Sequence, residues 1–297
     1  MIRRNPCLIM FLMVTLAIVP QSFALDAEAI GEAADTQATT QPDGVVRIGW
    51  SRSDVEVLVD GMPFKPQAGL GSWAAFKESQ NGAMVMGDTV VFQDEVDAAM
   101  DAAFAGGLEI TALHNHFFYD TPKVYFMHIG GQGDPVELAA AVKDMWDAIK
   151  VIRSDNPIPA LRFPGPALTA GNIDAAPINE ILGTASKPNN GVVKVAFPRE
   201  GKMHGITIGG TMGLSSWAAF SGNDDRAAMD GDFIMTGPEV QPVLQAMRVA
   251  GIHVVALHNH MTDEDPHFYF THFWAVGSTK KLAQDFKSVL DAQANVR

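Results

Sequence analysis

Two segments of this chain repeat each other at a fixed spacing of 144 positions. Residues 112–116 (ALHNH) return unchanged at 256–260, and residues 71–76 (GSWAAF) return at 215–220 as SSWAAF. Because both pairs have the same spacing, the stretch between the two segments has the same length in each copy. Self-similarity of this length indicates that one structural unit occurs twice in the chain.

The extent of the repeat divides the chain into two units. The match continues towards the N-terminus as far as residues 25–27, which answer residues 173–175. We therefore place the first repeat at 25–150, a proline-rich linker at 151–172, and the second repeat at 173–297. The expected fold class is α+β: two tandem repeats of one α+β unit with largely antiparallel sheets, related by internal duplication.

Local signals predict the elements within each unit. An amphipathic helix should follow the capping-box pattern Thr236-Gly-Pro-Glu239, which carries proline in the first turn. Alternating valines at 55–59 predict a strand, and residues 86–91 suggest a hairpin. The apolar face of the amphipathic helix is formed by Val240, Val243, Leu244 and Met247. Further helix starts are predicted at the capping residues Asp26, Asp134, Asp174 and Ser278.

The N-terminus has the pattern of a cleaved signal peptide. Arg3 and Arg4 precede an apolar run at 8–20, and small residues lead to a cleavage position after Ala24. A run of this length is too short to span a bilayer as a helix, which needs about 20 residues. Residues 1–24 are therefore expected to be removed, leaving a periplasmic or secreted protein without a stable membrane span.

Charge and cysteine content limit the possible partners and ligands. The formal net charge is −13, and it becomes −15 after cleavage because residues 1–24 contain two arginines and no acid. An acidic chain without a basic run argues against nucleic acid and against anionic membranes. The single cysteine, Cys7, lies within the signal peptide. Any site for a soft metal must therefore use histidine and carboxylate, and the expected partner is a small-molecule or envelope substrate.

Each repeat carries a His-x-His pair and a third histidine at the same spacing. Residues two apart in a strand point to the same face, so His-x-His places two imidazoles side by side. If the next strand returns around residues 119–123 with His114 opposite His128, the third imidazole joins them. The candidate metal ligands are His114, His116, His128, His258, His260 and His272.

Three converging imidazoles are one solution for catalytic zinc, with a fourth position left for water or substrate. Iron, copper, nickel and manganese also accept histidine. A divalent metal, with zinc as the first choice, is therefore the expected cofactor. The alternative is a histidine hydrogen-bond network that stabilises the hairpin and binds no metal.

Two repeated pairs of other residues have both structural and functional interpretations. Asp88 and Asp232 each follow a glycine in an expected turn, and either could act as a general base beside a metal. Trp73 and Trp217 are expected in the core, with substrate lining as the second interpretation.

Acidic residues at two further places have mainly structural interpretations. Glu95 and Glu239 should complement a helix dipole in the first turn. Asp120 and Glu264 lie near the turn that follows the histidine pair, where they could solvate the turn or reach a metal-bound water.

Four segments resemble the bacterial LppY/LpqO family: residues 71–76, 83–88, 109–116 and 127–135. That family is described only as a domain of unknown function, so the resemblance implies no activity. Its namesakes are lipoproteins, whereas this chain lacks a lipid-accepting cysteine at the cleavage position. Free export is therefore expected rather than anchoring.

The histidine motif is also similar, at a greater distance, to that of α-acetolactate decarboxylase and related three-histidine zinc proteins, some of which are ester hydrolases. The spacing differs slightly, and no residue here aligns with that family's catalytic glutamate or arginine. The resemblance implies a metal-dependent enzyme, with a hydrolase favoured over a lyase. The alternatives are a non-catalytic periplasmic protein that binds a metal or small ligand, and a structural envelope protein.

Overall fold

The computed structural model describes residues 24–80 and 82–296. The expected signal peptide therefore lies outside the described residues, apart from Ala24. The strands of the first repeat are β1 (Thr39–Thr40), β2 (Val46–Ser51), β3 (Leu58–Val59), β4 (Met62–Pro63), β5 (Gly71–Ser79), β6 (Gly82–Phe92), β7 (Glu109–His114), β8 (Asp120–Thr121) and β9 (Val124–Gly133). Those of the second are β10 (Lys187–Asn189), β11 (Val192–Pro198), β12 (Gly201–Met203), β13 (Ile206–Ile208), β14 (Ser215–Gly222), β15 (Ala227–Thr236), β16 (His253–His258), β17 (Glu264–Asp265) and β18 (Phe268–Gly277).

The helices begin where the capping residues predict. Asp26, Asp134, Asp174 and Ser278 each accept a hydrogen bond from a backbone N–H of the following turn. The capping box joining Thr236 to Glu239 is present, and the predicted apolar face of the next helix is buried. The helices are α1 (Ala27–Ala33), α2 (Val96–Ala105), α3 (Pro135–Asp155), α4 (Ala175–Leu182), α5 (Val240–Val249) and α6 (Thr279–Ala294).

Twelve strands form one continuous antiparallel sheet that runs through both repeats. Its order is β1-β2-β5-β6-β9-β7-β16-β18-β15-β14-β11-β10, so equivalent strands stand at equal distances from the centre. The two halves join where Leu113 of β7 pairs with Leu257 of β16. The expected α+β tandem repeat is confirmed, and the two units share a single sheet.

The helices cover one face of this sheet. One buried cluster contains residues of both repeats, including Leu113, Met127 and Phe286. The side chain of Trp146 on α3 reaches the sheet, where its indole Nε1 donates to the Thr89 hydroxyl at 3.0 Å. Because side chains alternate along a strand, the neighbours of these buried residues point to the opposite face. That face carries the histidines.

Side-chain contacts tie the two repeats together at the centre of the helical layer. Arg248 of α5 forms ion pairs with Asp97 at 2.9 Å and Asp101 at 2.8 Å, both on α2. Gln241 bonds both the backbone N–H and the carbonyl of Ile110 in β7, at 3.0 and 2.8 Å. The two units therefore pack as one body.

Two expectations about the strands are wrong. The hairpin expected at 86–91 lies in the middle of β6, because the chain turns between Ser79 and Gly82 instead. The repeated Gly87 serves close packing, since a Cβ there would lie 2.7 Å from the Trp73 carbonyl oxygen. The strand expected at 55–59 is reduced to Leu58–Val59, and Val57 packs in a small separate cluster.

The connection between the repeats is shorter than expected. Helix α3 continues to Asp155, so the non-helical connection begins at Asn156 rather than at residue 151. Among the described residues, no helix combines the length and the apolar character that a membrane crossing requires.

Candidate metal centres

Adjacent strands bring the predicted residues of each repeat together on the open face of the sheet. Asp88 of β6 pairs directly with His128 of β9, and Asp232 of β15 pairs with His272 of β18. The neighbouring strands β7 and β16 deliver the His-x-His pairs. All six histidines and both aspartates selected from the sequence therefore fall into two clusters of four.

The pairing register differs from the expected one by two residues. His128 faces Ala112, and His114 faces Phe126, because the segment after β7 forms the short strand β8 and does not close a simple hairpin. A shift of two residues leaves the same side chains on the same face. The rings of His114 and His128 accordingly remain stacked, with centroids 5.1 Å apart.

In the first centre the imidazoles lie close to one another, and the Asp88 carboxylate lies slightly further from the nearest imidazole. The Nε2 atoms of His114 and His116 are 3.2 Å apart. The Nε2 of His128 lies 3.9 Å from Asp88 Oδ2. The His116 ring stacks on Phe126, which holds it in place although it lies beyond the end of β7.

The second centre is more compact. The Nε2 atoms of His258 and His260 are 3.1 Å apart, and His260 Nε2 lies 3.2 Å from Asp232 Oδ2. One donor atom from each of Asp232, His258 and His272 lies within 4.8 Å of the other two. Three side chains of this centre therefore bring donor atoms together, and His260 contacts two of them, Asp232 and His258.

These separations suit a small divalent cation. Two nitrogens bound tetrahedrally to zinc at about 2.0–2.1 Å lie roughly 3.3–3.4 Å from each other. The Nε2–Nε2 separations of 3.2 and 3.1 Å are close to that value. In the second centre, His272 Nδ1 lies 3.1 Å from the Gly231 carbonyl oxygen. A ring N–H donated to a carbonyl directs the other nitrogen to a metal, so the donor set fits the ion.

Asp88 and Asp232 are buried without a lysine or arginine partner in the described part of the chain. They are 7% and 4% exposed, and their ion pairs are with histidines only. The Oδ1 atom of each has no hydrogen-bond partner among the described residues. Burial raises the pKa of both carboxyl groups, although the neighbouring histidines oppose the rise. An unpaired buried carboxylate is costly, and a cation between it and the imidazoles would remove that cost.

Three of the histidines, His114, His116 and His258, are held in the neutral form that binds metals. Burial, followed by the neighbouring His272 and His260, lowers the pKa of His258 to about 4. Burial also lowers the pKa of His114 and of His116. These imidazoles are therefore neutral at pH 7 and keep a lone pair for coordination.

The tryptophans lie on the open face, so their expected place in the core is wrong. Trp73 pairs with Asp88, and Trp217 pairs with Asp232, which puts each indole beside a centre. Both are half-buried, and a cation covers each ring: Arg47 at 4.6 Å from the Trp73 centroid, and the equivalent Lys194 at 3.6 Å from that of Trp217. The position of Trp73 could have been predicted from the sequence. Trp73 and Phe76 are three residues apart, so they face opposite sides of a strand and cannot both lie in the same core.

Asp120 and Glu264 hold the loops after the histidine pairs. Asp120 accepts a hydrogen bond from the Val124 backbone N–H at 2.7 Å, and Glu264 accepts one from Phe268 at 2.9 Å. Both are buried beneath these loops. Asp120 and Glu264 therefore stabilise the conformation of these loops.

Glu95 and Glu239 are structural, as expected, but they form ion pairs in addition to lying at a helix start. Glu95 is fully buried between Arg52 at 2.7 Å and Arg153 at 2.7 Å. Glu239 pairs with Arg199 at 2.5 Å in the equivalent position of the second repeat.

The chain shows a weak likeness to solved structures of microcompartment shell proteins. A trimeric bacterial microcompartment shell protein, PduB, is 12% identical, with 84% of this chain and 87% of that chain covered and a TM-score of 0.22. The double-ringed trimeric shell protein MSM0271 from the RMM microcompartment is 11% identical, with 72% and 84% covered and a TM-score of 0.19. Likeness at this level carries no argument about the present chain.

No curated protein matches this chain. A family model, in contrast, matches it twice, at residues 28–148 and 176–292. The two matches coincide with the two repeats and together span most of the sequence. The chain therefore belongs to the family described as Domain of Unknown Function (DUF1259), with one copy of the domain in each repeat.

Proposed function

We propose that this chain is an exported metal-binding protein and, more specifically, a metal-dependent hydrolase that acts on a small-molecule or envelope substrate. The observation that carries the proposal is the same in both repeats: three imidazoles lie beside a buried carboxylate that has no lysine or arginine partner in the described part of the chain. The proposed zinc ligands are His114, His116 and His128 in the first centre, and His258, His260 and His272 in the second.

The sequence patterns support export and a finer family assignment. Residues 1–24 have the features of a signal peptide, and this favours a periplasmic or secreted location. The segments that resemble the LppY/LpqO family favour assignment to that family. The histidine motif is similar to that of three-histidine zinc proteins such as α-acetolactate decarboxylase.

The chemistry of hydrolysis divides between the ion and the protein. A bound zinc ion would lower the pKa of a coordinated water towards ~7 and polarise a carbonyl group. Asp88 and Asp232 would accept the proton from that water, because their carboxylates lie beside the imidazoles that would hold the ion. Trp73 and Trp217 would form one wall beside the reacting group.

The second candidate function is non-catalytic binding of a metal or small ligand. One observation favours it: in the second centre Asp232 lies close enough to the imidazoles to serve as a fourth ligand. Four protein ligands would close a tetrahedral shell and leave no position for substrate. In the first centre, the only ion pair of Asp88 among the described residues is with His128 at 3.9 Å, so this centre leaves more room.

Metal analysis of protein purified without an affinity tag tests the proposal. The wild-type chain should contain divalent metal, and the double variant His114→Ala with His258→Ala should lose it. Asn115→Ala with Asn259→Ala is a matched control, because these side chains lie between the histidines and point elsewhere. Equal metal content in wild type and the histidine variant would refute the metal centre.

A second measurement separates the two candidate functions. Metal-loaded protein should hydrolyse members of an ester and acyl-substrate panel, and Asp88→Asn with Asp232→Asn should lower the rate by roughly 10²–10⁴-fold, the usual contribution of a general base. Full metal loading without turnover of any substrate would favour the binding function.

A further inference from the structure

A second candidate site lies away from both histidine clusters. A cavity of about 560 Å³ opens where the first repeat, the second repeat and the connection between them meet. Its walls include Tyr125 of β9, Val255 of β16, Trp274 of β18, and Arg162 and Phe163 of the connection. None of the six histidines or two aspartates of the metal centres lines it. Its volume lies within the range of small-molecule sites, which is about 300–1,000 Å³.

The connection forms a fixed wall of this cavity. The Ala160 backbone N–H donates to Asp94 Oδ2 at 3.0 Å, and Gln93 Nε2 donates to the Ala160 carbonyl at 3.4 Å. The Phe163 ring meets the His253 ring edge-on, with centroids 5.2 Å apart. The connection is thereby attached to the first repeat through Asp94 and to the second through His253.

The equivalent place in the other half of the molecule is built differently. Gln241, which corresponds to Asp97, bonds the backbone of Ile110. Asp97 instead turns to Arg248 and His253. Among the described residues, no side chain bonds the backbone of Val254, which corresponds to Ile110, and the connection lies over this part of β16 instead. The cavity follows from this departure from the internal symmetry.

The polar groups in the walls are mainly free donors. Among the described residues, neither the Tyr125 hydroxyl nor the Trp274 indole N–H has a hydrogen-bond partner, and Arg162 forms no ion pair. The two acids that line the cavity are already paired, Asp94 with Arg153 and Asp97 with Arg248. Gln93 and His253 are bonded to Ala160 and Asp97, and the other lining residues are apolar. A matching ligand has a flat apolar body and an acceptor group with negative charge.

We propose that this cavity binds a small ring-containing carboxylate. The ring packs against Phe163, Val255 and Trp274, and the carboxylate lies beside the Arg162 guanidinium. Arginine suits this role because its planar donors match the geometry of a carboxylate.

Isothermal titration calorimetry with 2-naphthoate on the full chain tests this site. Wild type should bind the probe, and Arg162→Ala should weaken binding by about tenfold, the factor expected from one charged hydrogen bond. The control Lys65→Ala removes one exposed positive charge that does not line the cavity and should bind the probe as wild type does. The neutral analogue 2-naphthylmethanol should bind wild type about as weakly as 2-naphthoate binds Arg162→Ala.

A second variant fills the cavity without changing charge. Val255→Trp places an indole in the volume that the ring would occupy and should abolish detectable binding, while melting temperature and metal content stay at wild-type values. Undiminished binding of 2-naphthoate to Val255→Trp, or equal affinities in wild type and Arg162→Ala, would overturn the proposal. Metal content is measured separately, so failure here is distinguishable from failure of the proposed metal centres.

Discussion

Asp88 and His128 face each other across the paired strands β6 and β9, with Oδ2 and Nε2 3.9 Å apart. In the second repeat the equivalent pair, Asp232 and His272, is 4.0 Å apart, but Asp232 Oδ2 also lies 3.2 Å from His260 Nε2. The same residues at equivalent positions thus form two centres of different compactness.

This difference predicts two unequal metal affinities. The second centre should bind zinc more tightly, because donor atoms of Asp232, His258 and His272 lie within 4.8 Å of one another and Asp232 also contacts His260. Asp232→Asn should weaken the tighter site by roughly 10- to 100-fold, as loss of a close metal partner does. Asp88→Asn should leave the tighter site unchanged. Competition with a zinc chelator measures both affinities, and two identical sites in wild type would contradict the expectation.

Replacing the glycines that precede the two aspartates should destabilise the fold. A Cβ at Gly231 would lie 2.1 Å from the Trp217 carbonyl oxygen and 2.3 Å from Phe273 Cζ. Overpacking of this kind costs about 1–3 kcal/mol or more. Gly231→Ala should therefore lower the free energy of unfolding by at least that amount in a denaturant titration. Gly71→Ala is the control, since nothing lies within 4 Å of its Cβ position, and it should unfold at nearly the wild-type denaturant concentration.

Helix starts could be predicted from the sequence because their causes are local. Asp134 and Ser278 cap the residues that immediately follow them, so the pattern and the contact lie in the same few residues. The join between the repeats could not be predicted in this way. The pairing of Leu113 with Leu257 is long-range, and no local pattern distinguishes a strand that pairs with its repeat from one left at an edge.

The composition of each candidate centre was predictable, and its geometry was only partly so. A period of two places His114 and His116 on one face whatever the register, so the clustering survived a two-residue error in pairing. The glycine before Asp88 was misread, because glycine marks both turns and close backbone approaches. Only the packing of Trp73 and Ile129 around Gly87 decides between them.

Two equivalent arginines should differ in their contribution to stability. Arg52 and its partner Glu95 are both fully buried, whereas the side chains of Arg199 and Glu239 are 30% and 13% exposed. Breaking a buried pair leaves an uncompensated charge and costs about 3–5 kcal/mol. Partly solvated pairs contribute about 0–1 kcal/mol.

Thermal or chemical unfolding of Arg52→Met and Arg199→Met measures this contrast. Arg52→Met should be the more destabilised variant by about 2 kcal/mol or more. Similar losses in the two variants would show that Arg153, the second partner of Glu95, compensates the buried carboxylate by itself.

Glu264 should make stability depend on pH in the acid range. Burial alone would raise the pKa of this carboxyl group, but backbone hydrogen bonds, first that from the Phe268 N–H, and the nearby His267 together lower it below its usual 4.5. A group whose pKa is lowered by folding stabilises the fold fully above its unfolded pKa, and that contribution is lost as the pH falls through the folded value. Glu264→Gln should therefore be less stable than wild type at pH 7, by about 1–2 kcal/mol.

The difference between wild type and Glu264→Gln should shrink below pH 4.5 and vanish once the wild-type carboxyl group is protonated in both states. Asp263→Asn removes the same charge from a side chain that is 77% exposed, and its difference from wild type should stay small at every pH. Melting temperatures of the three proteins between pH 3 and 8 provide the measurement. A Glu264→Gln difference that is constant over this range would show that the side chain acts through packing and that its charged hydrogen bond contributes nothing.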